Sequence, residues 1–420
     1  MKLFKTGFLF LLSISLFGQT LSPNIISTNP HIRYDHLNHI ESAIKPYLEN
    51  KWLVGASAII VKDHQVVYYK GFGKADAATN KPMEANAIFR IMSQSKAITS
   101  LAIMQLFEQG KLNLDQKVSD FIPEFKNPTV LKEFNAADSS YTTILAKREI
   151  SFRDLLTHTS GLDYADIGSN NMKAIYAKAK IPSGLGEFKE SLLSKMKALG
   201  KLPLAHQPGE KFTYGLNTDL LGCLVEIISG QTLEQYFHKN IFEPLGMKDT
   251  YFNLPAEKGS RMATVYTEDE NHSVIPWAPT FRNINPNYPL LKKSYFSGGA
   301  GLVSTAYDYA IFLQMLLNKG LYNGKQIIGR RTAELMLSPQ LAPGLMGDDN
   351  FALGFQLVGE KSANLKMRSK GSFSWGGYYG TTYWADPKEN MIVLIMTQHT
   401  PNSHGDLAGK IENIIYGSLK

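Results

Sequence analysis

The sequence predicts an α/β protein of the α+β kind: an antiparallel sheet built from both termini and flanked by helices, with an inserted, mainly helical lobe. Three observations predict this class. Strand-like segments occur near the start of the chain, between Gly55 and Tyr69, and return between Ser372 and Thr397. Helical periodicity fills the segment between them, and residues 94–109 are apolar on nearly every helical side, as in a helix at the centre of a fold. Strands contributed by both ends place these helices in a lobe between them.

The individual elements follow from periodicity and from turn residues. Helices are predicted at 40–48, 94–109, 152–157, 185–199, 218–229, 232–239, 306–318 and 405–418. Strands are predicted at 55–61, 65–69, 372–374, 380–385 and 391–397. Pro46 predicts a kink or an early stop in the first helix. Residues 21–91 and 295–420 are therefore expected to form the sheet region, and 92–294 the mainly helical region, of one domain.

The first 20 residues predict a secretory signal peptide. Lys2 and Lys5 precede an apolar run from Gly7 to Phe17. A membrane anchor is the alternative interpretation, but the run is shorter than the roughly 20 apolar residues that span a bilayer. The sequence thus predicts a periplasmic or secreted protein with no stable membrane anchor once the signal is cleaved.

The composition excludes several functional classes. With 44% hydrophobic and 19% charged residues, the 420-residue chain is neither disordered nor a coiled coil. A net charge of +7 over this length does not indicate a nucleic-acid partner. Cys223 is the single cysteine, so no intrachain disulfide can form. The histidines are not clustered at ligand spacing and no Gly-x-Ser-x-Gly elbow occurs, so neither a metal, another cofactor nor an α/β-hydrolase is predicted.

The tetrapeptide from Ser93 to Lys96 indicates nucleophilic catalysis. It stands where the apolar helix begins, and residues three apart lie on one helical face, so the amine can reach the hydroxyl. A serine needs a base to accept its proton, and a lysine serves as that base only where burial lowers its pKa. The helix N-terminus adds N–H donors that can stabilise an oxyanion. The same spacing recurs on ordinary amphipathic helices at Ser42 and Ser194, so the tetrapeptide taken alone favours an N-cap serine followed by a surface lysine.

Several sequence blocks together resemble the serine β-lactamase-like superfamily, most closely its class C-like branch with the family VIII carboxylesterases. Penicillin-binding protein type hydrolases belong to the same superfamily. The blocks are Phe89–Lys96 continuing to Asp115, Arg153–Leu162, Pro208–Tyr214, Ser297–Ser304 and Trp375–Gly380. The resemblance implies a β-lactamase/transpeptidase-like fold and spans nearly the whole mature chain.

The resemblance also implies roles for individual residues. Ser93 matches the acylated nucleophile and Lys96 its partner base. Tyr214 matches the tyrosine that relays protons between the serine and the leaving group. Without the family, Tyr214 would be read as an ordinary core aromatic residue, since a phenol has a pKa near about 10 and needs a cationic neighbour to act as a base.

The third signature of the family falls on the strand that contains Trp375, Gly376 and Gly377, which the resemblance assigns to substrate binding. Glycines at this position let the strand backbone approach a substrate closely. The residue after the triplet supplies the second oxyanion N–H in the family, and that residue is Tyr378. The first oxyanion N–H is implied to be that of Ser93.

Two departures separate this chain from the β-lactamases and peptidoglycan peptidases. Leu216 stands at the Asn position of their Tyr-x-Asn signature, and Asn217, one residue later, is expected to point elsewhere. Trp375 replaces the Lys or His that holds a substrate carboxylate, which weakens anionic ligands by roughly 1.5–3 kcal/mol. Arg368 and Lys370 lie upstream on the chain, and both are expected at the exposed surface.

The sequence therefore predicts a serine hydrolase that acts through an acyl-enzyme and cleaves small neutral esters. One alternative keeps the mechanism but changes the substrate to β-lactams or D-amino-acid peptides of the cell wall. Another is a non-catalytic module that binds or senses cell-wall fragments. The segments 165–205 and 255–295 are expected to determine the substrate.

Overall fold

The sheet at the centre of the protein is antiparallel and takes its strands from both end regions of the chain, as predicted. The computed structural model describes residues 20–184 and 190–420. The predicted signal peptide at 1–20 lies outside the described residues except for Thr20, as does the 185–189 part of the helix predicted at 185–199.

The strands are β1 (Gly55–Lys62), β2 (Gln65–Asp76), β3 (Lys81–Pro82), β4 (Phe89–Arg90), β5 (Thr129–Phe134), β6 (Tyr141–Leu145), β7 (Tyr266–Glu268), β8 (Val274–Pro276), β9 (Val303–Ser304), β10 (Leu321–Tyr322), β11 (Lys325–Gln326), β12 (Asn350–Phe351), β13 (Gln356–Leu357), β14 (Phe373–Gly376), β15 (Thr382–Asp386) and β16 (Met391–Met396). The large sheet has the order β12-β13-β14-β15-β16-β1-β2-β3, so the last long strand pairs with the first. That pairing joins the strands from the two end regions of the chain into one sheet.

The α-helices are α1 (Tyr34–Leu37), α2 (His39–Glu49), α3 (Ser95–Glu108), α4 (Phe152–Leu156), α5 (Asn170–Lys178), α6 (Leu192–Gly200), α7 (Asn217–Ser229), α8 (Leu233–Phe237), α9 (Glu243–Leu245), α10 (Ala306–Leu317), α11 (Arg330–Met336), α12 (Glu360–Ala363) and α13 (Leu407–Gly417). Helix α2 continues past Pro46 to Glu49, so the proline does not stop it. Burial of Ile40, Ile44 and Tyr47 against the sheet stabilises the helix despite the lost backbone bond.

Both faces of the sheet are covered. One face packs against α2 and α13 through alternate residues such as Ile60, Val393 and Trp384. The other face packs against α3 and α10 through residues such as Ile59 and Leu394. Because both faces are covered, all eight residues of β1 are buried, and an apolar run replaces the alternation of a half-exposed strand.

Helix α3 is the centre of the helical side. Every residue from Ser95 to Leu106 is buried, which confirms the expectation drawn from its all-round apolar pattern. The helix contacts α7, α8 and α11. Its N-terminus, preceded by a 3₁₀ turn at Met92–Gln94, lies next to β14. The core helix therefore presents its N-terminal turn to the inner part of the sheet.

Candidate active site

The backbone at the start of α3 holds Ser93 in a fixed position. Met92 is fully buried and has a φ of 49°, in the left-handed region that bulky residues rarely adopt. Such a conformation costs of order 1–3 kcal/mol and persists only where the surroundings enforce it. Lys96 follows one turn later, and its Nζ lies 3.2 Å from Ser93 Oγ. The spacing thus brings the amine and the hydroxyl together.

Lys96 is buried, and its amine is surrounded by oxygen atoms of three other residues. Only 3% of the residue is exposed. Besides its contact with Ser93, Nζ donates hydrogen bonds to Tyr164 Oη at 2.8 Å and to the carbonyl oxygen of Gly299 at 2.8 Å. An ammonium group has three donors, so these partners together engage its full capacity.

Tyr214 also contacts the hydroxyl of Ser93. Its Oη donates a hydrogen bond to Ser93 Oγ at 2.5 Å, and its ring centroid lies 4.7 Å from Lys96 Nζ. The ring of Trp375 packs against it with centroids 5.4 Å apart, and the indole Nε1 lies 3.5 Å from Tyr214 Oη. The hydroxyl, the amine and the phenol therefore meet at one point.

Tyr164 is a site residue that sequence reasoning missed. It is 4% exposed, its ring centroid lies 5.3 Å from that of Tyr214, and its Oη accepts the bond from Lys96. Burial, followed by the neighbouring Tyr214, raises the pKa of Tyr164 well above its ordinary value, so it is a neutral phenol at neutral pH. Its one signal in the sequence was its place two residues after the block ending at Leu162.

A buried histidine packs against the ring of Tyr214. The ring of His158 lies 5.0 Å from that of Tyr214. Burial, and then the charge of Lys96, hold the pKa of His158 well below its ordinary value, so the ring is neutral and its Nδ1 accepts a hydrogen bond from Asn217 Nδ2 at 2.9 Å. Asn217 also accepts a hydrogen bond from Ser160 Oγ, and Leu216 is fully buried. Leu216, at the Asn position of the Tyr-x-Asn signature, and Asn217 after it are thus buried residues that support the site, and they do not line the cleft.

The carboxyl group of Asp219 lies near the amine of Lys96. Asp219 is 1% exposed and accepts a hydrogen bond from Ser297 Oγ at 2.7 Å. Burial raises the pKa of Asp219, and the bond from Ser297 and the charge of Lys96 oppose that rise. A Cβ on Gly299 would lie 2.5 Å from Asp219 Oδ2 and 3.4 Å from Lys96 Nζ. A side chain at position 299 would therefore require the buried Asp219 carboxyl to move.

The strand that matched the third family signature ends beside the nucleophile. Gly377 follows β14, and a Cβ there would lie 2.5 Å from the carbonyl oxygen of Ile91, two residues before Ser93. Tyr378 lines the same cleft as Ser93, and its Oη accepts a hydrogen bond from Arg282 Nη1 at 2.7 Å. The structure thus brings both backbone positions proposed for the oxyanion to one cleft.

The cleft has a volume of about 460 Å³. It is lined by Ser93, Ile167, Tyr214, Gln356, Arg368, Ser374, Trp375, Gly376, Tyr378 and Thr382. A recess of about 30 Å³ also opens beside the nucleophile, lined by Met92, Ser93, Tyr164, Asp166, Ile167, Ser183, Ala300 and Tyr378. Tyr378 and Ile167 border both spaces, and the recess is the size of about one water molecule.

The expectation that both upstream cations lie at the exposed surface is wrong for one of them. The side chain of Lys370 is 64% exposed and pairs with Glu360. The side chain of Arg368 is only 20% exposed and lines the cleft. It is held there because its guanidinium stacks 4.4 Å from the Trp384 ring centroid and pairs with Glu412 at 2.6 Å.

Residues 20–184 and 190–420 contain neither a membrane-spanning helix nor a cluster of metal-binding side chains. No helix there has the length and apolar character needed to cross a membrane. No group of three or more His, Cys, Asp or Glu side chains in those ranges is arranged to hold a metal ion. Cys223 is a free, buried thiol on α7.

Comparison with known proteins gives a consistent family. A family model described as Beta-lactamase matches residues 40–414. Esterase EstB of Burkholderia gladioli is 28% identical over 85% of this chain and 89% of its own length. A putative D-alanyl-D-alanine carboxypeptidase of Escherichia coli K12 is 28% identical over 82% of this chain and 78% of its own length. The solved structure of EstCE1, a hydrolase with promiscuous acyltransferase activity, has a TM-score of 0.79 and 27% identity, covering 91% of this chain and 99% of that one.

Proposed function

This chain belongs to the beta-lactamase family, and from that premise we propose that it is a secreted serine hydrolase of the carboxylesterase type. The observation that carries the proposal is the meeting of Ser93 Oγ with Tyr214 Oη at 2.5 Å and Lys96 Nζ at 3.2 Å. A serine hydroxyl becomes an effective nucleophile when a base within hydrogen-bond distance accepts its proton. The family and the EstB relative agree with this chemistry.

In the proposed reaction Ser93 Oγ attacks the carbonyl carbon of an ester and passes its proton to the Lys96–Tyr214 pair, in which one group is deprotonated, either as the neutral amine of Lys96 or as a phenolate beside the ammonium. The backbone N–H groups of Ser93 and Tyr378 stabilise the oxyanion. Collapse of this intermediate breaks the bond to the alkoxy oxygen, which takes a proton from Tyr214 and leaves as the alcohol. Water then attacks the acyl-enzyme as the same pair accepts its proton. Collapse of this second intermediate breaks the bond to Ser93 Oγ, which takes the proton back from the pair as the acid leaves. The reaction requires no metal or organic cofactor.

The proposed preference for small neutral esters rests on the reacting end of the cleft. Trp375 presents an indole there, where the β-lactamase signature has a cation for a substrate carboxylate. Asn217 is turned toward His158 and cannot contact a substrate amide from that position. The recess beside Ser93 is small, which supports short acyl groups.

The proposal is tested by comparing hydrolysis of p-nitrophenyl butyrate with hydrolysis of nitrocefin. We expect the ester to have the higher kcat/KM, and Ser93→Ala to abolish it. Ser42→Ala is the matched control, because Ser42 has the same Ser-x-x-Lys spacing but lies exposed on α2. Much faster nitrocefin turnover would contradict the esterase proposal.

A peptidase or β-lactamase function is the second candidate, favoured by the similarity to the putative D-alanyl-D-alanine carboxypeptidase. Release of D-alanine from a peptide ending in D-Ala-D-Ala, at a rate above that of ester hydrolysis, would support it. A non-catalytic sensor would instead be labelled at Ser93 by a fluorophosphonate or penicillin probe without multiple turnover. Absence of Ser93-dependent labelling would favour simple binding.

We also propose that the protein is exported through its first 20 residues and is periplasmic or secreted. The apolar run from Gly7 to Phe17 after two lysines supports this. N-terminal sequencing of the protein recovered outside the cytoplasm should give a start close to residue 19. Recovery of the intact chain from the cytoplasm would contradict export.

A further inference from the structure

The cleft extends from Ser93, past the part of β14 that β13 does not pair with, to the face of the sheet that α13 covers. Strand β13 pairs with β14 only as far as Ser374, so Trp375 and Gly376 continue beyond it. Ser374 and Trp384 are register partners, and side chains directly opposite each other in an antiparallel pair share a face. Trp384 packs in the core beneath α13. Because Ser374 lines the cleft together with Ser93, the cleft reaches the face that α13 covers.

A single charged side chain lines this cleft among the described residues, and it lies on the face beneath α13. Arg368 stacks on Trp384 at 4.4 Å and is 20% exposed. Nη2 of Arg368 donates a hydrogen bond to Oε2 of Glu412, on α13, at 2.6 Å. Nε of Arg368 is buried and has no hydrogen-bond partner. Since a guanidinium has five N–H donors in a planar fork, this contact with Glu412 leaves donors available.

The surroundings of Arg368 suit an oxygen-rich anion. Gln356, Ser374 and Thr382 line the same part of the cleft and offer neutral polar groups. Among the described residues, none that lines the cleft carries a carboxylate that would repel an anion. Stacking on an aromatic face fixes the plane of a guanidinium, which favours two-pronged binding of a carboxylate.

We propose that Arg368 is a specificity-determining residue that binds a carboxylate of the substrate. The preferred esters are then neutral around the scissile bond, next to Trp375, and anionic at the end that reaches across β14. This proposal rests on the proposed esterase function and refines its substrate class: the ester is neutral at the scissile bond but carries a carboxylate at its far end. The carboxylate can belong to the acyl group or to the alcohol, and the chemistry at Arg368 is the same.

The test uses two matched ester pairs. Mono-p-nitrophenyl glutarate against p-nitrophenyl methyl glutarate places the charge in the acyl group. 3-Butyryloxybenzoate against its methyl ester places the charge in the leaving group. For each pair the measured quantity is the ratio of kcat/KM for the anionic ester to that for the neutral ester. The pair that responds identifies which part of the substrate reaches Arg368.

We expect Arg368→Gln to lower one of these ratios about tenfold, as expected for the loss of a charge-assisted hydrogen bond. Glu412→Gln should raise the same ratio, because it removes the competing carboxylate. Lys370→Gln is the matched control, since it removes an exposed cation two residues away that is outside the cleft, and it should leave both ratios unchanged.

Ratios that Arg368→Gln does not alter, or that Lys370→Gln lowers equally, would overturn the proposal. If Arg368→Gln fails to fold because Glu412 loses its partner, the Glu412→Gln variant and the double variant Arg368→Gln/Glu412→Gln decide the question. An active wild type with unaltered ratios refutes the carboxylate subsite alone. Hydrolysis of none of the esters refutes both this subsite and the esterase function.

Discussion

Replacing Tyr164 with Phe tests the geometry around the amine. The change removes one of the three oxygen partners of Lys96, a 2.8 Å hydrogen bond in a buried environment, and leaves the ring in place. A hydrogen bond to a charged group contributes about 1.5–3 kcal/mol. If that stabilisation positions the amine for proton transfer, kcat/KM for p-nitrophenyl butyrate should fall roughly 10- to 150-fold, since about 1.36 kcal/mol corresponds to a factor of ten in rate.

Tyr176→Phe is the control for this experiment. Tyr176 is also fully buried, and its phenol accepts a bond from the backbone N–H of Asp163 at 3.3 Å. It has no contact with Lys96 among the hydrogen bonds of the described residues, so its loss tests stability without touching the amine. Wild-type activity in Tyr164→Phe, or an equal fall in Tyr176→Phe, would refute the argument that the bond to Lys96 matters for catalysis.

Three further predictions follow from single positions. Gly299→Ala places a Cβ 2.5 Å from Asp219 Oδ2, and because displacement by about 1 Å can cost 10²-fold in rate, ester hydrolysis should fall by about that factor; near-normal activity would show that the backbone adjusts freely. Gly409→Ala, in the exposed first turn of α13 with nothing within 4 Å, should raise the free energy of unfolding by up to about 1 kcal/mol in denaturant titrations, and a loss of stability would contradict this. Burial raises the pKa of Asp308 from 3.8 to about 6, so the folded state binds more protons than the unfolded state between these values, and this group's contribution to stability falls by about 3 kcal/mol as pH rises through them. Asp308→Asn should flatten that decline in pH-dependent unfolding, and an unchanged slope would exclude this carboxyl as its cause.

Much of the fold could be predicted because its strongest patterns are local or lie in long elements. The strands predicted at 391–397 and 55–61 occur at 391–396 and 55–62, and α10 and α13 begin and end within two residues of their predicted limits. The hairpin of β5 and β6 was not predicted, since strand β6 is exposed along its whole length and its sequence has no buried face to create a pattern. The helix predicted at 40–48 occurs at 39–49, so of the two effects expected of Pro46 the early stop does not occur, because tertiary packing outweighs the local cost.

The candidate site divides in the same way. Ser93 and Lys96 are three residues apart, so the 3₁₀ turn at Met92–Gln94 and the first turn of α3 bring them together locally. Tyr214 and Trp375 could be singled out only through the family resemblance, because nothing in their neighbourhood distinguishes them from core aromatics.

By itself the sequence determined that a buried helix begins directly after Ser93 and carries Lys96 in its first turn, and that both end regions of the chain supply strands. The tertiary structure alone decided that Tyr164 and the carbonyl of Gly299 contact Lys96, and that Arg368 lines the cleft while Lys370 does not. The physical reason is distance along the chain. Local spacing follows from helix geometry, whereas contacts between residues 68 and 203 positions apart depend on how distant segments of the chain pack around the start of α3.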